Sequence, residues 1–175
     1  MSGGQAFALW ITGLPASGKS TITAAVVPRL RSAGATPAVL ESDVLRRILT
    51  PEARFTPEER DRFYRQMALI GNLLVASGIP VIFDATGHRR HYRDYARSLI
   101  GRFVEVYVAC SVEVCAARDP KGIYAAASSG RATSVPGMQV TYEPPTRPEI
   151  SLPCGMDAAT AALEIEEKLR ELAYL

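Results

Sequence analysis

Ala6-Phe-Ala-Leu-Trp-Ile-Thr12 runs straight into Gly13-Leu-Pro-Ala-Ser-Gly18-Lys19-Ser20, and the architecture of the whole chain can be built outward from this junction. The first half is an unbroken apolar run of strand formers. Such a run reads as a strand covered on both faces, which is the habit of parallel sheets. The second half fits G-x-x-x-x-G-K-[ST]. A helical stretch from about Lys19 to Arg31 follows and is closed by Gly34. Strand, glycine-rich turn and helix in that order are the context in which this motif binds phosphate.

The physical reason is direct. Backbone N–H groups of the loop and of the helix N-terminus form a nest for phosphate oxygens. Gly13, Pro15, Ala16, Ser17, Gly18, Lys19, Ser20 and Thr21 are therefore the candidate nucleotide contacts. Lys19 is placed for the β- and γ-phosphates and the Ser20 hydroxyl for Mg²⁺, so the expected cofactors are ATP and Mg²⁺. Gly13 and Gly18 allow a close approach that a Cβ would prevent. No Asn/Thr-Lys-x-Asp motif for reading guanine occurs, which excludes a switch GTPase. A motor ATPase would need a longer chain, so a kinase for a small molecule is the expectation.

Further strands are expected at Pro37–Glu41, Val81–Asp84, Phe103–Ala109 and around 149–152. Between them lie a short helix capped by Ser42, a helix from Thr56 to about Ser77, and a helix from Val112 to Ala117. Thr56-Pro57-Glu58-Glu59 carries an N-cap, a proline at N1 and a glutamate at N3. Phe63, Met67, Ile70 and Leu74 form that helix's apolar stripe. Asp157 caps a terminal helix with Ile165, Leu169 and Leu172 on one face. Residues 119–149, rich in Gly, Ser and Pro, read as a functional flap. The alternation predicts one α/β domain over residues 1–175, a P-loop three-layer sandwich with a five-stranded parallel sheet in the order 2-3-1-4-5 and a mobile lid.

Composition bounds the function classes. The chain has 175 residues, 47% hydrophobic and 22% charged, with net charge +2. That is too mild a charge to predict a nucleic-acid partner, and no apolar run approaches a membrane span. Met1-Ser2-Gly3-Gly4 has no leader pattern, so a cytoplasmic location is the expectation. Cys110, Cys115 and Cys154 make an odd count without a Cys-x-x-Cys pair, which argues against a disulfide framework and against zinc. Cys110 and Cys115 read as buried small hydrophobes, with redox control as the alternative.

Several motifs together resemble the adenylylsulfate (APS) kinases, over most of residues 5–152. Glu113-Val-Cys115-Ala-Ala-Arg118-Asp119-Pro120-Lys121-Gly122-Ile-Tyr124 is close to that family's E-V-C-x-x-R-D-P-K-G-L-Y. Tyr142-Glu143-Pro144-Pro145 with Pro148-Glu149 resembles its flap-closing segment. Glu41-Ser42-Asp43-Val44-Leu45-Arg46 stands where the family has D-G-D-N-V-R; Asp43 and Arg46 match, and Glu41, Ser42 and Val44 depart. The resemblance implies transfer of the ATP γ-phosphate to the 3′-hydroxyl of APS. Asp43 would sit near the acceptor hydroxyl and Arg46 would hold the acceptor. Arg118 would contact ATP or the transferring phosphoryl group, and Lys121 the acceptor's anionic group. Family members are often dimers, so a homodimer is a possible assembly.

The acceptor side departs from the family pattern. Two phenylalanines that resemble an adenine clamp correspond here to Ala85 and Val135, and an Asp beside the second has become Gln139. Loss of two stacking faces costs several kcal/mol, at roughly 1–3 kcal/mol per face, or about two to four decades in affinity. Tyr92 and Tyr142 are candidate substitutes. The acceptor is accordingly read as APS or, alternatively, as another anionic nucleotide conjugate or phosphorylated metabolite. A nucleotide-binding regulator without turnover fits poorly with intact Lys19, Ser20, Asp43 and Arg118.

Asp43 has a second reading as a helix cap. Asp84, ending its strand as a Walker B carboxylate would, is a candidate Mg²⁺ ligand or a cap for the Thr86-Gly87 turn. His88-Arg89-Arg90-His91 reads as an anion-greeting loop in which Arg90 matches the family, as a solvated surface, or as an incomplete metal site.

Overall fold

Strand β1 (Ala8–Thr12) is buried along its whole length. It lies in the middle of a parallel five-stranded sheet, and its side chains alternate between two helical layers. A computed structural model describes residues 6–175. After β1 come α1 (Lys19–Ser32), β2 (Ala38–Glu41), α2 (Ser42–Leu49) and α3 (Pro57–Ala76). Then follow β3 (Val81–Asp84), α4 (Arg90–Leu99), β4 (Phe103–Ala109), α5 (Val112–Arg118), α6 (Ile123–Ser128), β5 (Ile150–Pro153) and α7 (Ala158–Glu171). The strand order is β2-β3-β1-β4-β5, with every pairing parallel, as the sequence predicts.

The period of two along β1 divides the core. Phe7, Leu9 and Ile11 pack with Ile22, Val26 and Leu30 of α1 and with Ile165 and Leu169 of α7. Ala8 and Trp10 face the other way, onto Phe63, Tyr64 and Met67 of α3 and Tyr92 and Ala96 of α4. A third, smaller cluster joins Leu14 to Cys115, Tyr124, Ala127 and Val135, so segment 119–149 has an apolar base of its own.

Most expected caps are present. Thr56 Oγ1 accepts from Glu59 N–H at 3.2 Å, and Asp157 Oδ2 accepts from Thr160 N–H at 3.0 Å. Ser42 is a correction: it is the first residue of α2, and the N-cap position belongs to Glu41, with no side-chain cap. Leu172 is another, since it lies beyond the last turn of α7 and is exposed. Two helices have no counterpart in the sequence reading. The short α6 begins at the left-handed Gly122 without a side-chain cap. Helix α4 also lacks a side-chain cap, and its buried stripe is Tyr92, Arg93 and Ala96, so an arginine occupies a core position where hydrophobic periodicity expects an apolar residue.

The cysteine reading is corrected as well. Cys110 and Cys154 form a disulfide, while Cys115 is free and buried. The cause is sheet register. Ala109 pairs with Pro153 across β4 and β5, so the next residue on each strand falls side by side, with Cα atoms 4.6 Å apart. A sequence separation of 44 hides this neighbourhood from any spacing rule.

Closing a loop of that length restrains the unfolded chain by about 4 kcal/mol. Reduction, or Cys154→Ser, is therefore expected to lower the melting temperature by about 10 °C. A thermal melt with and without a dithiol reductant measures this, and coincident curves would remove the bond from the stability account.

Candidate active site

Between β1 and α1 the chain wraps closely around its own backbone. A Cβ on Gly13 would lie 2.8 Å from the carbonyl oxygen of Val108, so only glycine passes there. Gly18, left-handed at φ 104°, stands at the N-cap of α1 with no side-chain cap, which leaves the first-turn N–H groups of the helix available to an anion. Ser17 is buried beneath the loop, its Oγ without a hydrogen-bond partner.

The loop opens into a cleft of about 440 Å³, within the usual range for small-ligand sites. Pro15, Ala16, Gly18, Lys19, Ser20 and Thr21 form one wall. Asp43 from the start of α2 and Asp84 from the end of β3 form the second. Arg118 and Lys121, from the end of α5 and the turn after it, form the third. Parallel strands deliver their following loops to one edge of the sheet, so residues far apart in sequence converge there.

The electrostatics are uneven. Lys19 Nζ donates to the carbonyls of Leu14 and Gly13 at 2.8 and 3.1 Å. Burial pushes its pKa down to about 8. Asp84 is buried, and its Oδ2 has no hydrogen-bond partner. The turn it was expected to cap is held otherwise: Gly87 N–H donates to Tyr64 Oη at 3.2 Å, and Thr12 Oγ1 donates to the Thr86 carbonyl at 2.6 Å. An orphaned carboxylate oxygen in a cleft that also holds the Ser20 hydroxyl would suit a hard divalent cation bound together with phosphate. Across the cleft, Lys121 Nζ bridges Asp43 Oδ2 at 2.6 Å, and this bond raises the Lys121 pKa. Asp43 is the second residue of α2, so it is not the helix cap.

Other expected residues lie elsewhere. Arg46 shares a face of α2 with Asp43, three residues away. Its guanidinium rests on the Phe63 ring at 3.9 Å, and its Nη1 forms an ion pair with Glu59 Oε1 at 3.6 Å. Arg90 opens α4 outside the cleft, its Nε 3.9 Å from Glu143 Oε2. Ala85 and Val135 are corrections. Ala85 is buried in the core shared by α3 and α4, and Val135 in the separate cluster at the base of segment 119–149, so the two do not face one another across a ligand. Tyr92 is not a clamp ring either, and Tyr142 lies outside the cleft. Tyr92 is buried on Tyr64 at 4.4 Å, and Tyr142 lies beside Tyr107 at 6.2 Å. His88 is buried, and its pKa is pushed down to about 4 by burial and by Arg60. His91 instead pairs with Asp61 at 3.3 Å. Among the described residues, no group of three His, Cys, Asp or Glu side chains converges as a metal site.

Phe55 escaped the sequence reading. It is 40% exposed at φ 57°, a backbone conformation costly for a bulky side chain. The guanidinium of Arg46 lies 5.0 Å from its ring centre and that of Arg60 5.4 Å. The signal was local: an aromatic immediately before an N-cap, in the position of a hydrophobic staple.

Comparisons with known proteins agree with this geometry. The family model described as adenylylsulphate kinase matches residues 5–153. The adenylyl-sulfate kinase of Rippkaea orientalis is 41% identical over 174 residues, covering 98% of this chain and 95% of that protein. A probable adenylyl-sulfate kinase of Pyrococcus abyssi is 34% identical, covering 98% of this chain and 99% of that one. Among solved structures, the Mycobacterium tuberculosis APS kinase CysC in complex with AMPPNP and APS superposes with a TM-score of 0.89 at 29% identity, covering 95% of this chain and 98% of that chain.

The depressed pKa of Lys19 has a measurable consequence. Phosphate binds the protonated amine, so affinity for ATP is full below pH 8 and falls as pH rises past about 8, where binding must take up a proton. Titration calorimetry from pH 6.5 to 9.5 should show this fall. Lys19→Met should bind more weakly and lose the pH dependence; an unchanged dependence in that variant would assign it to another group.

Proposed function

The chain belongs to the adenylylsulfate kinase family, and from that membership and the cleft we infer that it transfers the γ-phosphate of ATP to a hydroxyl of APS. The observation that carries the reading is the convergence of the phosphate loop, Asp43, Asp84, Arg118 and Lys121 on one cleft. A phosphate nest alone would bind a nucleotide; the carboxylates and cations beside it support the reading of a second, acceptor site.

The roles follow from position. N–H groups of the loop and of the first turn of α1 hold the ATP phosphates, and Lys19 exchanges its loop carbonyls for phosphate oxygens. Mg²⁺ would be held by Ser20 and Asp84. When bound, it neutralises phosphate charge and polarises the transferring group. Asp43 orients the acceptor hydroxyl and is released from Lys121 when an anionic acceptor takes that ammonium. Arg118 stabilises the charge that spreads over the phosphoryl oxygens in transfer. Segment 119–149 acts as the lid that excludes water.

Phe55, beside Arg46 and Arg60, is assigned as a stacking face for the acceptor base. The burial of Ala85 and Val135 removes the argument that lost clamp rings have changed the acceptor. No helix among the described residues is long and apolar enough to cross a membrane. We place the enzyme in the cytoplasm, acting on a small anionic acceptor.

Transfer of labelled γ-phosphate to APS, with an ATP-only control, tests the reading. Saturable labelling is expected, and its absence with ATP binding intact would reject APS as acceptor. Phe55→Ala should raise KM for APS by about 10- to 100-fold, the loss of one stacking face, with ATP affinity unchanged. Lys19→Met should lower kcat by at least about 100-fold.

A further inference from the structure

The buried guanidinium of Arg93 lies outside the cleft and grips the loop that carries Thr86, one of the cleft's lining residues. Its Nε donates to Glu105 Oε1 at 2.6 Å, its Nη2 to the Glu143 carbonyl at 2.7 Å, and its Nη1 to the Gly87 carbonyl. One planar group thus joins α4, mid-strand β4, the loop after β3 and the segment returning from 119–141. A buried charge persists only where it is paired and fully hydrogen-bonded, and Glu105, itself buried, is the counter-charge.

The two backbone stretches that Arg93 grips are also joined to one another. Glu143 N–H donates to the His88 carbonyl at 2.7 Å, and Arg90 N–H donates to Glu143 Oε2 at 2.8 Å. Gly87 is held at φ 49°, and a Cβ there would meet the Trp10 ring at 2.9 Å, so the carbonyl offered to Arg93 depends on glycine. Farther along, Arg97 makes a two-pronged bond to Glu149 at 2.7 and 2.8 Å, and Glu149 accepts from Glu105 N–H at 2.6 Å. The return leg 142–149 is therefore anchored at both ends by arginines one turn apart on α4.

We propose that Arg93 is a positioning residue for the acceptor: it fixes the loop 85–90 against the return leg of the lid, and so sets the wall on which the acceptor lies, without touching either substrate. This rests on the assignment of the cleft to APS phosphorylation. Thr86, next to the gripped carbonyl, lines the cleft. Arg90, which opens α4 outside the cleft, has its backbone N–H fixed by the Glu143 carboxylate. No polar contact of Arg93 reaches the phosphate loop, so its loss acts on the acceptor and not on ATP.

The test compares the wild-type chain with Arg93→Lys, which keeps a charge beside Glu105 but not the planar three-way grip, and with Arg93→Met/Glu105→Leu, which removes the buried pair together. In both variants KM for APS is expected to rise at least tenfold, more in the double variant, with kcat within threefold and ATP affinity within twofold of wild type. Amide hydrogen exchange supplies a second readout. The amides of Arg90 and Glu143 should exchange at least tenfold faster, and those of β1 at the wild-type rate. Equal losses for ATP and APS, or an unchanged KM with Arg90 and Glu143 still protected, would overturn the proposal. If the double variant does not fold, Arg93→Lys alone decides by the same measures. If wild-type protein labels no APS, the functional reading fails, and the exchange rates still decide whether Arg93 holds the wall.

Discussion

The burial of β1 on both faces and both edges is the constraint from which the site follows. Its backbone groups are satisfied by β3 on one side and β4 on the other, and its side chains serve two helical layers. The chain must therefore leave at the C-terminal edge, where the neighbouring strands part company and a phosphate nest can open. The same strand then holds the surrounding loops in place. Trp10 Nε1 donates to the Ala85 carbonyl at 3.1 Å, and Thr12 Oγ1 reaches both the Thr86 carbonyl and Tyr142 Oη.

Around that frame the charges fall into two groups with different purposes. Lys19, Asp84, Asp43, Lys121 and Arg118 are incompletely satisfied or paired across open space, and their partners can be exchanged for a ligand's. Arg93, Glu105, Arg97 and Glu149 are satisfied by one another and by backbone carbonyls and amides. The first set has free valence for chemistry. The second holds geometry, since breaking one of its members leaves a buried charge uncompensated.

Much of this was legible beforehand where the signal is local. The phosphate loop, the order of the strands and the Thr56 and Asp157 caps rest on short-range patterns, while the family resemblance pointed to Asp43 and Lys121. Where the structure departs, tertiary packing is the reason. Ala85 and Val135 correspond by family resemblance to ligand contacts, yet each is turned into a hydrophobic cluster. Arg93 sits on the buried face of α4, where an apolar residue is expected, because its charge is neutralised by Glu105, twelve residues later on another element. Phe55 carries a local signal, its place before the Thr56 cap, but its exposure and left-handed backbone are evident only in the fold.

The amino-acid sequence by itself determined the fold class, the phosphate nest and the family resemblance, because periodicity, caps and glycine-rich turns act over a few residues. Only the tertiary structure decided that Cys110 meets Cys154, that Arg93 joins two walls, and which face of Ala85 and Val135 is hidden. Those outcomes depend on strand register and on the packing of elements remote in sequence, and a contact of that kind has no energy until the sheet has brought its two halves together.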